Sequence, residues 1–365
     1  MTIRPLQPDD LSAVAQLFQS NFRDPRSAAP ESLALYLGKL FLDHPWYDPD
    51  IAARVHCSAA GQVNGFLGVL PLKMRFRGRA IRAAVAGSLV VEEPSKNPLA
   101  GARLLRSFVN GPQDLSISET ANPISQSLWA RLGGEPLPLY SMEWMRVLQP
   151  ARAGVSLLAE AAPAAKLLRP IASLADRALS YTARNPFGLK QMRSPTYEHD
   201  AEVDDTTFMA SVQRFASTCA LKPDWDSATL AWILSHSARK ERHGTLMRRL
   251  VYAGASEPIG GYLCYGRPGG VAWVLQILAE PQQVVPVLDS LMMHAVNLGS
   301  VAVRGRTHPA IMKALMGKGC IFFHRSATIV RARDPELVSA IDAGDAFITG
   351  LAAEAWTRLI GDVFV

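Results

Sequence analysis

Apolar and polar positions along the chain switch between a period near 3.6 and a period of 2, and the switches mark its elements. Ile3-Arg4-Pro5-Leu6 reads as a short strand. Pro8-Asp9-Asp10 opens a helix, with acids in the first turn where the helix dipole favours them. Leu11, Val14, Ala15, Leu17 and Phe18 give that helix an apolar face, and a second helix is predicted from Pro30 to about Leu42. Strands follow at Ala52 to Ser58 and Val63 to Arg75, around a turn at Ala60-Gly61-Gln62. After Gly78, a strongly apolar strand runs from Ile81 to Val91. Glu92 to Asn97 is a loop, and Pro98 to Asn110 a helix with Leu99, Ala102, Leu105 and Val109 on one face. Leu115 to Ser118 alternates as a strand. Asn122-Pro123 is a cap followed by proline in the first turn, starting a helix that runs to Leu132 and stops at Gly133-Gly134. Leu137 to Leu148 reads as the closing strand. Such strand–helix alternation predicts an α/β layered domain over residues 1–150.

Residues 151–204 change character. Ala- and Leu-rich helical patterns give way to Asn185-Pro186 and Ser194-Pro195, which suits a connector between domains or a helical insertion packed on the first domain. The alternation resumes over residues 205–333. Helices are predicted at Asp205 to Thr218 and Ser227 to His236, and strands at Leu246 to Ala253, Ile259 to Tyr265 and Val271 to Leu278. A helix at Gln282 to Asn297, a strand at Val301 to Arg304, a helix at Pro309 to Met316 and a strand at Phe322 to Arg331 follow. Residues 334–365 form a tail whose Trp356 and Ile360 to Val365 are expected to fold back onto a domain.

Two segments superimpose. Ile117 to Pro123 leads into a helix with Gly133 eleven residues after Asn122, and Val303 to Pro309 leads into one with Gly319 eleven residues after His308. The shared order of strand, helix, strand, proline-started helix and strand suggests a duplication.

Composition narrows the classes. With 48% hydrophobic and 19% charged residues, the 365-residue chain can bury enough surface to order two domains. It has no run of eighteen apolar residues, so no membrane span is expected, and the N-terminus lacks a secretory apolar core. The four cysteines are scattered, which argues against a zinc site or disulfide framework, and no His/Asp/Glu cluster has metal-ligand spacing. A cytoplasmic, reduced protein is the expectation. The net charge of +6 favours an anionic ligand or surface.

On these elements residues 1–150 resemble the GNAT acyltransferase family. In that family a strand feeds a loop of the form Arg/Gln-x-x-Gly-x-Gly/Ala, whose amides and helix N-terminus hold the coenzyme A pyrophosphate. Here the strand is Gly87-Ser88-Leu89-Val90-Val91, and Lys96-Asn97-Pro98-Leu99-Ala100-Gly101-Ala102 stands at the loop and helix start. Asn97 and Leu99 replace two glycines, and Gly101 matches the last position. Asn122, then Leu128-Trp129-Ala130-Arg131-Leu132-Gly133, is similar to the family's second element. Trp129 stands where many members have a tyrosine general acid, a role indole cannot fill. The second half resembles the fold but not the loop, since Ala279-Glu280-Pro281-Gln282-Gln283 has no glycine and carries an acid. The resemblance therefore implies two tandem GNAT-like domains, each a mixed, mostly antiparallel sheet flanked by helices, with the second degenerate. Tandem copies of this kind resemble double-GNAT proteins, Fem-type peptidyltransferases and N-myristoyltransferases.

The implied chemistry is attack of an amine on the thioester of acetyl-CoA or another acyl-CoA, the acceptor being a small amine or amino-sugar. Leu89, Val90, Val91, Lys96, Asn97, Leu99, Ala100, Gly101, Ala102, Asn122 and Trp129 are the implied cofactor contacts. Glu119 is the candidate base, with Glu92 and Glu93 behind it, and Ser125, Ser127 or Tyr140 would replace the missing acid. Each acid also reads as a polar residue at a strand end or before a helix. His44, in Asp43-His44-Pro45-Trp46-Tyr47, reads as lining an acceptor groove or as stapling a surface loop, and His308 as a helix cap. Trp225 and Trp232 read as core residues. Two alternatives stay open: a Fem-like transferase taking aminoacyl-tRNA, the one case in which nucleic acid is expected, and a non-catalytic binding protein. The oligomeric state is left open.

Overall fold

A computed structural model describes residues 2–92, 97, 99–161, 169–180, 197–254, 257–359 and 361–364. The chain opens with β1 (Thr2–Pro5), α1 (Leu11–Phe22) and α2 (Glu31–Phe41), followed by β2 (Arg54–Cys57), β3 (Val63–Phe76) and β4 (Arg79–Val91). Next come α3 (Ala100–Val109), β5 (Leu115–Ala121), α4 (Pro123–Arg131), the short β6 (Glu135–Pro136) and α5 (Pro138–Ser141). The middle holds β7 (Met142–Val147), α6 (Pro150–Ala161), α7 (Arg169–Ser180), β8 (His199–Glu202), α8 (Asp205–Ala216), β9 (Leu221–Pro223) and α9 (Ser227–Ser237). The last part holds β10 (Thr245–Tyr252), β11 (Pro258–Gly266), β12 (Val271–Ala279), α10 (Val284–Asn297), β13 (Ala302–Arg306), α11 (Pro309–Met316), β14 (Ile321–His324), β15 (Ala327–Ala332) and α12 (Pro335–Asp342).

The chain divides into two units that interleave in sequence: residues 1–141, 219–235 and 326–365, and residues 142–218 and 236–325. Each unit holds one mixed sheet flanked by helices. In the first the strand order is β1-β2-β3-β4-β5-β15-β6, with β9 against β3. In the second it is β8-β10-β11-β12-β13-β7-β14. Read from β1 and from β8 the two orders correspond, with one exchange. Met142–Val147, expected to close the first sheet, lies between β13 and β14, antiparallel to both. Ala327–Ala332, from the second half of the sequence, takes the matching place between β5 and β6. Contiguous boundaries at residues 150 and 205 therefore do not coincide with the compact units. An alternating apolar strand states which face it buries but not which sheet supplies its partner, so this exchange leaves no local mark.

Local signals account for the elements that frame the first unit's site. In α3, Leu104, Leu105, Phe108 and Val109 turn inward onto Leu67, Val69, Ala84 and Ala86 of the sheet. Asn122 caps α4, its Oδ1 accepting from the Ser125 N–H at 2.9 Å, and Pro123 holds the first helical position. Gly133 follows the helix at φ +77°, where a side chain would be strained. His308 and Pro309 repeat this start in α11, with the His308 ring accepting from the Ala310 N–H. Among the described residues, no helix is long and apolar enough to cross a membrane. No group of three or more His, Cys, Asp or Glu among them is placed to hold a metal ion.

The charge is uneven. Twenty of the 38 Lys and Arg and twelve of the 32 Asp and Glu fall in the second unit, so it carries +8 and the first carries −2. The basic surplus expected to favour an anionic ligand thus lies on the copy with the degenerate loop. In the first unit any anion must be held by local donors.

Candidate functional site

The site in the first unit is built where two strands part. β4 and β5 run parallel through three pairs, Ala83 with Leu115, Ala84 with Ser116 and Val85 with Ile117, and pairing stops there although both strands continue. Beyond Val85 the backbone groups of β4 that face β5 have lost their ladder partners. At the same level β4 bulges: Gly87 pairs with Gly68 and Val90 with Phe66, which leaves Ser88 and Leu89 opposite Leu67. Ser88 holds φ +59°, a left-handed backbone unusual for a side-chain-bearing residue and typical of functional turns.

One face of this gap carries α3. Around Gly101, in its first turn, lie Val91 Cγ2, Leu128 Cδ1 and Leu89 Cδ2, between 3.6 and 3.9 Å from the point a β-carbon would occupy. The expected residues Leu89, Val91 and Gly101 thus form one neighbourhood, which Leu128 joins, and Val90 turns into the core as the partner of Phe66. Among the described residues no side chain caps α3. The Ala100 N–H is used by Asn97 O at 3.1 Å, while those of Gly101 and Ala102 meet no acceptor among the described residues. Leu99 is exposed at the helix start, where it fills nothing. Asn97 lies within 3.4 Å of both Asn64 Nδ2 and Glu92 O, and Asn64 in turn meets buried His56 Nδ1 at 2.6 Å. This polar string ties the loop to the sheet. Lys96 and Glu93 lie outside the described residues. Two amides with no acceptor among the described residues, at the positive end of a ten-residue helix, fit a pyrophosphate.

The opposite face carries α2. Gly68 and Gly87 are direct cross-strand partners, so their missing side chains would point to one side. Beside Gly68 the place is taken by the ring of Phe41, at the end of α2; beside Gly87 it is taken by the carboxylate of Glu354. Glu354 is 5% exposed, and the Thr120 hydroxyl donates to its Oε1. Its segment, Gly350 to Thr357, is anchored by Glu119, which is 1% exposed. The Glu119 carboxylate accepts from the backbone N–H of Gly350 at 3.0 Å, of Glu354 at 3.1 Å and of Ala355 at 3.0 Å. This corrects the sequence reading. Glu119 is a strut spent on three amides, and the acid delivered to the gap is Glu354. The signal for it was an acid alone in an apolar stretch, Leu351-Ala-Ala-Glu-Ala-Trp356, since a lone acid is rarely buried without a purpose.

Other candidates fall elsewhere. Trp129 is fully buried, edge to face with Phe108, so its ring belongs to the core. Tyr140 is fully buried and donates to Ile341 O at 2.9 Å, and burial pushes its hydroxyl well above the ordinary tyrosine range. A group so held has no proton to give to a substrate. Ser125 is half-buried in the first turn of α4, beside the gap, and Asn122 is exposed at the cap.

The second unit repeats the frame without the site. β12 and β13 run parallel through three pairs ending at Trp273 with Arg304, and β12 bulges at Leu275. Where they part, Arg304 sits 4.3 Å over the Trp273 ring and 4.9 Å over Phe323, and is paired with Glu143. His243 stacks on Trp273, centroids 4.1 Å apart. Before α10, Glu280 occupies the loop.

No protein-family profile matches this sequence, and no curated protein does. Solved structures are similar. A GCN5-related N-acetyltransferase from Anabaena variabilis is 12% identical, with a TM-score of 0.57 over 92% of this chain and 73% of that one. Another, from Kribbella flavida, is 12% identical, with a TM-score of 0.54 over 92% and 71%. A protein of Enterococcus faecalis, described as a probable N-acyltransferase, is 9% identical, with a TM-score of 0.58 over 91% and 72%. At these identities the likeness speaks for the fold, and it agrees with the parted strands, the bulge and the open helix start: this chain has the fold of the GCN5-related N-acetyltransferases, with two GNAT-like sheets.

Proposed function

We propose that the first unit is an acyl-CoA-dependent N-acyltransferase acting on a small amine. One observation carries the reading: the gap between β4 and β5 has on one face amides of α3 with no acceptor among the described residues, and on the other a buried carboxylate, Glu354. Donor and acceptor would approach from opposite faces and meet at the bulge. The α3 amides of Gly101 and Ala102 would hold the pyrophosphate, and acetyl-CoA is the simplest donor.

The chemistry follows. A β4 amide freed at the Ser88–Leu89 bulge would donate to the thioester carbonyl oxygen, where negative charge builds. Glu354 would take the proton from the acceptor ammonium, freeing its lone pair for the carbonyl carbon. The C–N bond forms as the C–S bond breaks, the sulfur leaves as thiolate, and the surplus proton on the attacking nitrogen passes to that sulfur, giving the amide and the free thiol. A thiol's ordinary pKa of about 8.5 makes the thiolate a competent leaving group, so a hydrogen bond from Ser125 suffices without a tyrosine acid.

Calorimetric titration with acetyl-CoA and with a longer acyl-CoA tests this reading. We expect saturable heat, lost in Gly101→Glu, which brings a negative charge to the pyrophosphate's place. A folded protein that gives no heat with either would overturn it.

A further inference from the structure

One group in the first unit has no role so far. The loop after α2 places His44 at 3% exposure, and neither of its ring nitrogens has a hydrogen-bond partner among the described residues. Buried polar atoms are nearly always paired, and a neutral imidazole always carries one donor and one acceptor. Burial lowers this imidazole to about 4, so it is neutral at pH 7. What surrounds it is aromatic. The Trp46 ring lies 4.6 Å away, Trp232 lies edge-on 5.2 Å beyond Trp46, and Trp356 lies edge-on 5.7 Å beyond Trp232. Tyr47, 5.8 Å from His44, is the most exposed ring of the group, at 38%, and Trp232 is half-buried. The series leads back to the gap. Trp356 is two residues from Glu354, and Phe41, three residues before His44, shares the sheet face that Glu354 occupies.

We infer that these rings are the acceptor subsite, and that its substrate is an amine carried on an aromatic body with one polar group at the far end. This rests on the acyltransferase reading of the same gap. The amine would face Glu354, the aromatic body would lie among the tryptophans, and the far polar group would satisfy the His44 ring. Entry is by rotation of Tyr47. An amino-sugar fits worse, because each buried hydroxyl needs a partner, and among these rings the buried nitrogens with none among the described residues are the two of His44.

The test needs no catalysis. Protein labelled with 15N in its histidine rings is titrated with tyramine, phenethylamine and glucosamine in the absence of coenzyme A, and His44 is assigned from its loss in His44→Phe. Tyramine should shift the His44 nitrogens and bind at least tenfold tighter than phenethylamine, with glucosamine inert. In His44→Phe the gap between the two aryl amines should close while the melting temperature rises, because an unpaired polar ring has been removed. Should that variant not fold, Trp46→Leu serves: it keeps the His44 signal and should weaken tyramine at least fivefold. Glucosamine binding as well as tyramine, or unmoved His44 signals with every amine, overturns the inference. A parallel acetyl-CoA titration separates the two readings, since binding there with no amine response leaves the transferase standing and removes only the subsite.

Discussion

The two sheets share their strand order, three parallel pairs before a gap, and a bulge on the strand that borders it, yet they use the gap in opposite ways. In the first unit small residues line it: Ala83, Ala84 and Val85 on β4, then the glycine pair at 68 and 87, which admits a carboxylate from a distant segment. In the second, the last parallel pair is Trp273 and Arg304, and their side chains stack on each other and on Phe323, with Glu143 neutralising the guanidinium. The helix starts differ the same way. α3 begins with amides that meet no acceptor among the described residues, whereas α10 begins behind Glu280, whose negative charge repels the phosphate that such a start would attract. The net charges run against this, −2 on the open copy and +8 on the closed one. Amides and shape at the gap, and not overall charge, would therefore decide which copy binds.

Five changes would break or sharpen that contrast. Glu354→Gln keeps size and removes the proton acceptor, so turnover with a competent amine should fall on the order of 10²–10³-fold with acetyl-CoA affinity unchanged. Steady-state kinetics beside calorimetry checks both halves. Glu119→Ala leaves three buried amides without an acceptor and should cost about 3 kcal/mol, with faster hydrogen exchange at Gly350, Glu354 and Ala355. The counterpart Arg304→Ala strands the half-buried Glu143 and should also lower the melting temperature, but without moving acetyl-CoA affinity.

Acid stability supplies a third contrast, with one histidine in each unit. His44 is lowered to about 4 and His243 to about 3, each mainly by burial. Between the ordinary histidine value of 6.5 and these values the unfolded chain takes up the proton first. The native state is thus favoured above pH 6.5 and loses stability as pH falls, by about 3 kcal/mol for His44 on reaching pH 4. His44→Phe should flatten that loss in melting temperature against pH. The smallest effect belongs to Gly101→Ala. Its methyl would meet no atom nearer than 3.6 Å, so acetyl-CoA affinity should stay within about threefold, which calorimetry reads directly.

What the sequence revealed was local. Asn122-Pro123 and His308-Pro309 announce their helices because cap and proline act within one turn, and Gly133 stops α4 for the same reason. The apolar faces of α1 and α3 follow from periodicity alone. What stayed hidden depends on partners far along the chain. β7 and β15 look like any alternating strand, and only pairing shows that each closes the other half's sheet. In sequence Glu119 reads as the base and Glu354 is not singled out, because an acid at a strand end does not disclose that the N–H groups donating to it lie 231 to 236 residues away. Trp129 sits at a family position, but its ring was free to turn inward onto Phe108.

A crystal grown or soaked with coenzyme A measures the central claim directly, because both copies are present in one molecule. The account predicts a pyrophosphate on the Gly101 and Ala102 amides, its pantetheine arm running toward Ser88, and nothing bound before α10. A pyrophosphate beside Glu280, or a fully liganded crystal with the first gap empty, would contradict it.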